Sequence, residues 1–256
     1  MKRAMLLAPL MAVMMATGAA AEPTPITVHV ISKDAKFIGS SMGGVRVTLS
    51  DADTGEQLAE GRTAGATGDT AHIMEAAHKR GAPLSEGGAA KFEASIDIDE
   101  PTLVRVTAFG PLGQRQSANE VSATQWVLPG KGITGGDGWL LEMPGFNVDV
   151  LAPPAHVKLK GLPQTINLHA NVTMMCGCPI APGDLWDADS YEIAALVYRD
   201  GELLGEKPLA FAGSASQFTT DLTVDEPGVY EVAVYARDKG NGNTGLDKVT
   251  FVVSPQ

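Results

Sequence analysis

Apolar and polar side chains alternate with a period of two along most of the chain, and this rhythm restricts the fold more than any other feature. ITVHVIS sets Ile26, Val28 and Val30 on one side, and VRVTLSD does the same with Val45, Val47 and Leu49. Successive side chains of a strand point to opposite faces, so each stretch has one face to bury. KFEASIDI, TLVRVTAF, SATQWVL and FNVDVLA follow, separated by the turn-rich pieces DADTGE, SEGGA, GPLGQ and PGKGITGGDG. After Pro153-Pro154 a second series begins: HVKLKGL, TINLHANVTM, YEIAALVYRDGELL, SQFTTDLTV, GVYEVAVYARD and DKVTFVVS. Asp200-Gly201 within it suits a tight primed hairpin turn. The pattern predicts an all-β chain of two antiparallel β-sandwich domains, residues 22–152 and 155–256, hinged at the diproline.

One segment departs from this rhythm. GDTAHIMEAAHKRGAP, Gly68 to Pro83, reads as a short helical insertion of two to three turns, with Asp69 or Thr70 as N-cap and Gly81 and Pro83 as its stop. On such a helix His72 and His78 point in different directions, and the i, i+4 spacing of a metal-binding pair is absent.

Residues 1–21, MKRAMLLAPLMAVMMATGAAA, have the parts of a signal peptide: Lys2 and Arg3, an apolar run, and Ala19-Ala20-Ala21 as a small-residue cleavage site. The run is shorter than the roughly 20 residues that span a bilayer. This predicts a cleaved signal and a periplasmic or secreted protein with no membrane insertion afterwards. The net charge is −11, and cleavage takes two cations with it. Such an acidic chain repels nucleic acid and anionic lipid, leaving cationic ligands, metal ions or basic protein faces as partners.

GGVRVTLSDADTGEQLAEGRTAG, EGGAAKFEASI and TLVRVTAFG, spread over Gly43 to Gly110, resemble the transthyretin-like or carboxypeptidase-regulatory-like β-sandwich. The resemblance implies an accessory or adhesive role, since the histidine-rich signature of the enzyme versions is missing. DEPGVYEVAVYARDKGNGNTG, Asp225 to Gly245, resembles the penultimate strand and turn of a bacterial immunoglobulin-like domain. That likeness makes Tyr230 a tyrosine corner. It also places Val232 where antibody-type domains carry their second cysteine, so the usual inter-sheet disulfide is not available.

Both cysteines of the chain lie instead in HANVTMMCGCPI, His169 to Ile180. Alternation sends Met174 into a core, and His169 is roughly 20 Å of strand away from Met175. The remaining sulfur set is Met175, Cys176 and Cys178 at a strand end. Three chemistries use these atoms. Cys176 and Cys178 can close a local disulfide in an oxidising compartment. Two thiolates and a thioether suit a soft ion, Cu(I) above all. A dithiol can also exchange disulfides, although the Cys-x-x-Cys spacing is absent. Downstream, Asp184, Trp186, Asp187 and Asp189 read as a solvated turn rather than a Ca²⁺ loop.

Trp126 and Trp139 flank a glycine-rich loop with few charges, a composition typical of a contact surface, while burial between the domains is the alternative use of both rings. No nucleophile elbow, phosphate loop, dinucleotide fingerprint or zinc-protease helix occurs. The sequence therefore predicts an exported, non-enzymatic binding or accessory module that docks to another exported protein. The alternatives are a Cu(I)-binding protein and a thiol-disulfide protein.

Overall fold

The computed structural model describes residues 21–255, so the segment read from the sequence as a signal peptide, residues 1–21, lies outside the described residues except for Ala21. The chain is all-β. The strands of the first half are β1 (Glu22–Ser32), β2 (Arg46–Asp51), β3 (Gln57–Arg62), β4 (Phe92–Ile98), β5 (Thr102–Gly110), β6 (Asn119–Val127) and β7 (Trp139–Met143). They form two sheets, ordered β4-β1-β7 and β3-β2-β5-β6. All neighbours are antiparallel except β1 and β7, which run parallel. Between the sheets, Val28, Val30, Val47, Leu49, Val106 and Leu141 close the first core.

The second half comprises β8 (Phe146–Ala152), β9 (Val157–Lys160), β10 (Gln164–Met174), β11 (Tyr191–Arg199), β12 (Glu202–Pro208), β13 (Ala210–Phe211), β14 (Gln217–Val224), β15 (Gly228–Asp238) and β16 (Thr244–Ser254). Its sheets are ordered β13-β14-β10-β8 and β12-β11-β15-β16-β9. Leu168, Val172, Val197, Val232, Val234 and Phe251 fill the space between them.

By strand pairing, the change from one sandwich to the other falls between Met143 and Phe146. The stretch FNVDVLA, placed in the first half by the sequence, is β8, and its Val148 and Val150 pair with Val172 and Ala170 of β10. Pro153-Pro154 therefore ends a strand of the second sandwich. A proline has no N–H to give a ladder, so a diproline marks the end of a strand as readily as a domain linker.

The insertion is far less helical than the sequence suggests. Only Ala71–Glu75 form a helical turn, of π type, and bends and turns follow. Asp69 does act as an N-terminal cap, its carboxylate accepting from the His72 amide at 2.7 Å. With the helix cut short, the His72 and His78 rings do not diverge but meet edge to face, centroids 5.4 Å apart.

Two local readings hold. Asp200 and Gly201 both take positive φ, 50° and 88°, as a primed turn between β11 and β12 requires. The Tyr230 hydroxyl donates to the Glu226 carbonyl at 2.8 Å, and its buried ring stacks on Phe251. Among the described residues no helix is long and apolar enough to cross a membrane.

Candidate functional site

The strand β10 delivers the sulfur-rich turn. Ile166, Leu168, Ala170, Val172 and Met174 all enter the second core, as alternation demands. The chain then reverses: the Gly177 amide donates to the Met174 carbonyl at 2.8 Å, and the Met174 amide to the Cys178 carbonyl at 3.0 Å. Gly177 has a φ of 79°, a left-handed conformation that a side chain would strain. The turn brings the Cys176 and Cys178 sulfurs into bonding contact, with their Cα atoms 5.5 Å apart. Both are buried in the second core, 2 % and 6 % exposed respectively.

Met175 goes the opposite way. Its side chain is fully buried in the first core, where it lies against Gly145. Met42 of the first sandwich in turn packs on Gly177. The three sulfurs grouped by the sequence are thus split between two cores, and they do not converge as a Cu(I) ligand set. Among the described residues no group of three or more His, Cys, Asp or Glu side chains is arranged to hold a metal ion.

What the turn does build is a junction. Met175 enters the first core, and Ala35, from the loop after β1, enters the second. Trp186 is buried beside Ala35, and its indole N–H donates to the Asp34 carbonyl at 2.9 Å. Asp34 also accepts from the Asn241 side-chain amide. Asn243, itself buried, accepts from the Gly145 amide at 2.7 Å and donates to the Gly145 carbonyl at 3.0 Å. The Ser117 hydroxyl donates to the Val148 carbonyl and accepts from the Val148 amide. Asn147 donates to the Met174 carbonyl at 2.7 Å, tying β8 to the sulfur turn. Buried polar groups that find partners in this way fix a geometry.

Within the second sandwich, Gly245 of β16 lets β8 approach closely, because a Cβ there would overlap the Phe146 backbone amide and carbonyl. Sequence reasoning missed Asn243 and Gly245, which look like ordinary turn residues in GNGNTG. It also read the DLWDADS segment as solvated, whereas Trp186 is core. Asp187 does behave as a turn residue: its carboxylate accepts from the Gly183 and Asp189 amides, and these bonds hold it below the usual carboxylate range.

The two tryptophans also part company. Trp139 is 6 % exposed and belongs to the first core, so it cannot line a partner surface. Trp126 is 61 % exposed near the end of β6, followed two residues on by exposed Leu128. Among the described residues no strand pairs with the outer edge of β6. The glycine-rich loop between the tryptophans is pinned by Asp137, whose carboxylate accepts from the Leu84 and Ser85 amides at 2.9 and 2.7 Å. Burial pushes this carboxyl up, but the amide bonds outweigh it and hold it below its ordinary value.

No family model and no curated protein matches the chain. Among solved structures, it is similar to the fibronectin type III-like modules of Clostridium thermocellum CbhA, with 14 % identity, 82 % of this chain and 77 % of that one covered, and a TM-score of 0.30. It is also similar to the tip fimbrial protein Mfa3 of Porphyromonas gingivalis, at 8 % identity, with 88 % and 80 % covered and a TM-score of 0.30. The N-terminal domains of the bacteriophage RB49 outer capsid protein Hoc match at 13 % identity over 91 % of this chain and 59 % of that one, TM-score 0.28. Similarity this low identifies no function, and the transthyretin-like reading of the first half rests on its sequence motif.

Proposed function

We propose that the chain is an exported, non-enzymatic binding module that docks to another exported protein along the outer edge of β6. The observation that carries this reading is Trp126, 61 % exposed on an edge strand of sequence NEVSATQWV. Natural proteins blunt free edges with lysine, proline or very short strands, because unpaired N–H and C=O groups recruit other strands. β6 has nine residues and neither lysine nor proline. A partner strand adding to it would gain main-chain hydrogen bonds, with Trp126 and Leu128 as apolar anchors. In the second sandwich the edge strand β12 carries Lys207 and Pro208 and is the protected kind.

The test is affinity capture from the compartment to which the chain is exported, comparing wild type with Trp126→Ala and with Leu185→Ala as an exposed control. One protein should be recovered by wild type and the control, and its affinity for Trp126→Ala should fall about thirtyfold, the equivalent of ~2 kcal/mol for an interface anchor. Equal recovery by all three would overturn the reading.

Cys176 and Cys178 are proposed to form a local disulfide that holds the turn carrying Met175. Burial of both sulfurs argues against exchange catalysis, which needs an accessible thiolate. Thiol titration of denatured protein should find no free thiol before reduction and two afterwards. Two reactive thiols in unreduced, oxygen-exposed protein would overturn the staple.

A further inference from the structure

The outer face of the β3-β2-β5-β6 sheet gathers three arginines from three strands. Its inner face buries Val47, Leu49, Val104 and Val106, so the alternate residues Arg46, Arg62 and Arg105 stand outward and exposed. Arg46 of β2 and Arg62 of β3 are direct cross-strand neighbours. Like charges placed opposite one another destabilise a sheet, and nothing in sandwich architecture calls for them. The ion pairs of the described residues involve His72, Lys91, Arg199, Arg237 and Lys248, and none of the three outward arginines. Glu60 and Glu120 share the face, but Glu60 is engaged by the Thr48 hydroxyl at 3.3 Å. In a chain of net charge −11, this face sets three arginines against two glutamates.

The face is also ordered along the strands. Arg46 is opposite Phe109 and its guanidinium lies over that ring, 5.1 Å from the centroid, which holds its fork in place. The next row outward runs Glu60, Thr48, Thr107 and Ser122, three hydroxyls side by side with one carboxylate at the β3 end. Arg105 comes after it, and Trp126 ends the series opposite Leu103. Arg105 is four residues from Phe109 on the same strand, so roughly 14 Å separates the two arginine positions, and Trp126 lies roughly 7 Å beyond. A single small anion cannot reach both arginine positions.

We propose that this face binds an anionic polysaccharide, a linear glycan bearing carboxylate or sulfate groups. The Arg46–Arg62 pair takes one anionic group and Arg105 another, through forked hydrogen bonds that lysine cannot reproduce. The hydroxyl row faces the sugar hydroxyls between them, and Trp126 supplies an apolar plane for a pyranose ring. The charge pattern favours this occupant over a basic protein, and the hydroxyl row favours it over an isolated phosphate. The inference does not rest on the β6-edge reading, because the three arginines carry it and the ligand is of a different class; Trp126 alone is shared by the two surfaces.

The experiment is calorimetric titration of the full chain at low salt with oligogalacturonate, dextran sulfate and neutral dextran. At least one polyanion should bind, neutral dextran should not, and affinity should fall with added salt. Stronger binding of oligogalacturonate assigns carboxylate as the anion, and stronger binding of dextran sulfate assigns sulfate. The triple variant Arg46→Gln/Arg62→Gln/Arg105→Gln should lose at least tenfold in affinity with an unchanged melting temperature. Arg46→Lys, which keeps the charge but not the fork, should also bind more weakly. Absence of polyanion binding by the wild type, or equal binding by the triple variant, would overturn the proposal. Arginine-dependent glycan binding together with equal protein capture by wild type and Trp126→Ala would count against the β6-edge reading alone.

Discussion

Met175→Ala is expected to lower the free energy of unfolding by about 2–5 kcal/mol, the range for truncating a fully buried methionine. The side chain belongs by sequence to the second sandwich and by packing to the first core. Removing it leaves a void that neither sandwich can close alone, because Met175 is set by the turn at Gly177 and seats against Gly145. The loss should appear as a lower denaturant midpoint. Met175→Leu, close in volume, should cost less than ~1.5 kcal/mol. An alanine variant within ~0.5 kcal/mol of wild type would mean that Met175 does not hold the halves together.

Gly245→Ala should be comparably damaging, about 3 kcal/mol, at the upper end of what overpacking costs. The new methyl group would press on the Phe146 amide and carbonyl, which are backbone and cannot rotate away. Relief requires β8 to shift from β16, and such a shift would pull on the Asn243–Gly145 hydrogen bonds. Gly87→Ala is the matched control: no atom lies within 4 Å of its added methyl, and its effect should be near zero or slightly stabilising. Thermal melts of both variants check the pair. Equal melting temperatures would show that β8 moves freely at this crossing.

The sequence made the architecture legible because half-buried strands of a sandwich obey the period-two rule closely. β10 shows it in full, with Ile166, Leu168, Ala170, Val172 and Met174 all inside. β7 escaped notice because Leu140 faces outward between Trp139 and Leu141, which hides its alternation. Its parallel pairing with β1 also means that no hairpin turn announces it. The insertion misled because helix-forming residues were present without an apolar stripe long enough to dock them; of Ala71–Glu75 only Ile73 is buried.

The sulfur cluster was legible in part. Alternation placed Met174 correctly, but it says nothing about a residue just past the strand end, where direction is set by the turn. Met175 therefore passed as a neighbour of the cysteines, although its side chain enters another core. The arginine face was hidden for a different reason. Arg46, Arg62 and Arg105 are scattered through the sequence and come onto one face only through the registers of β2 with β3 and β5.

The exchange of Met175 and Ala35 between the two cores bears on how a protein like this can be inherited. Sandwiches strung on bare linkers can be duplicated, shuffled or fused as cassettes, since each keeps its own interior. Here each half carries a piece of the other's interior. A gene fragment cut between Met143 and Phe146 would encode one sandwich with an empty socket and another with a thioether left in water. The smallest unit that can be copied or transplanted intact is the pair.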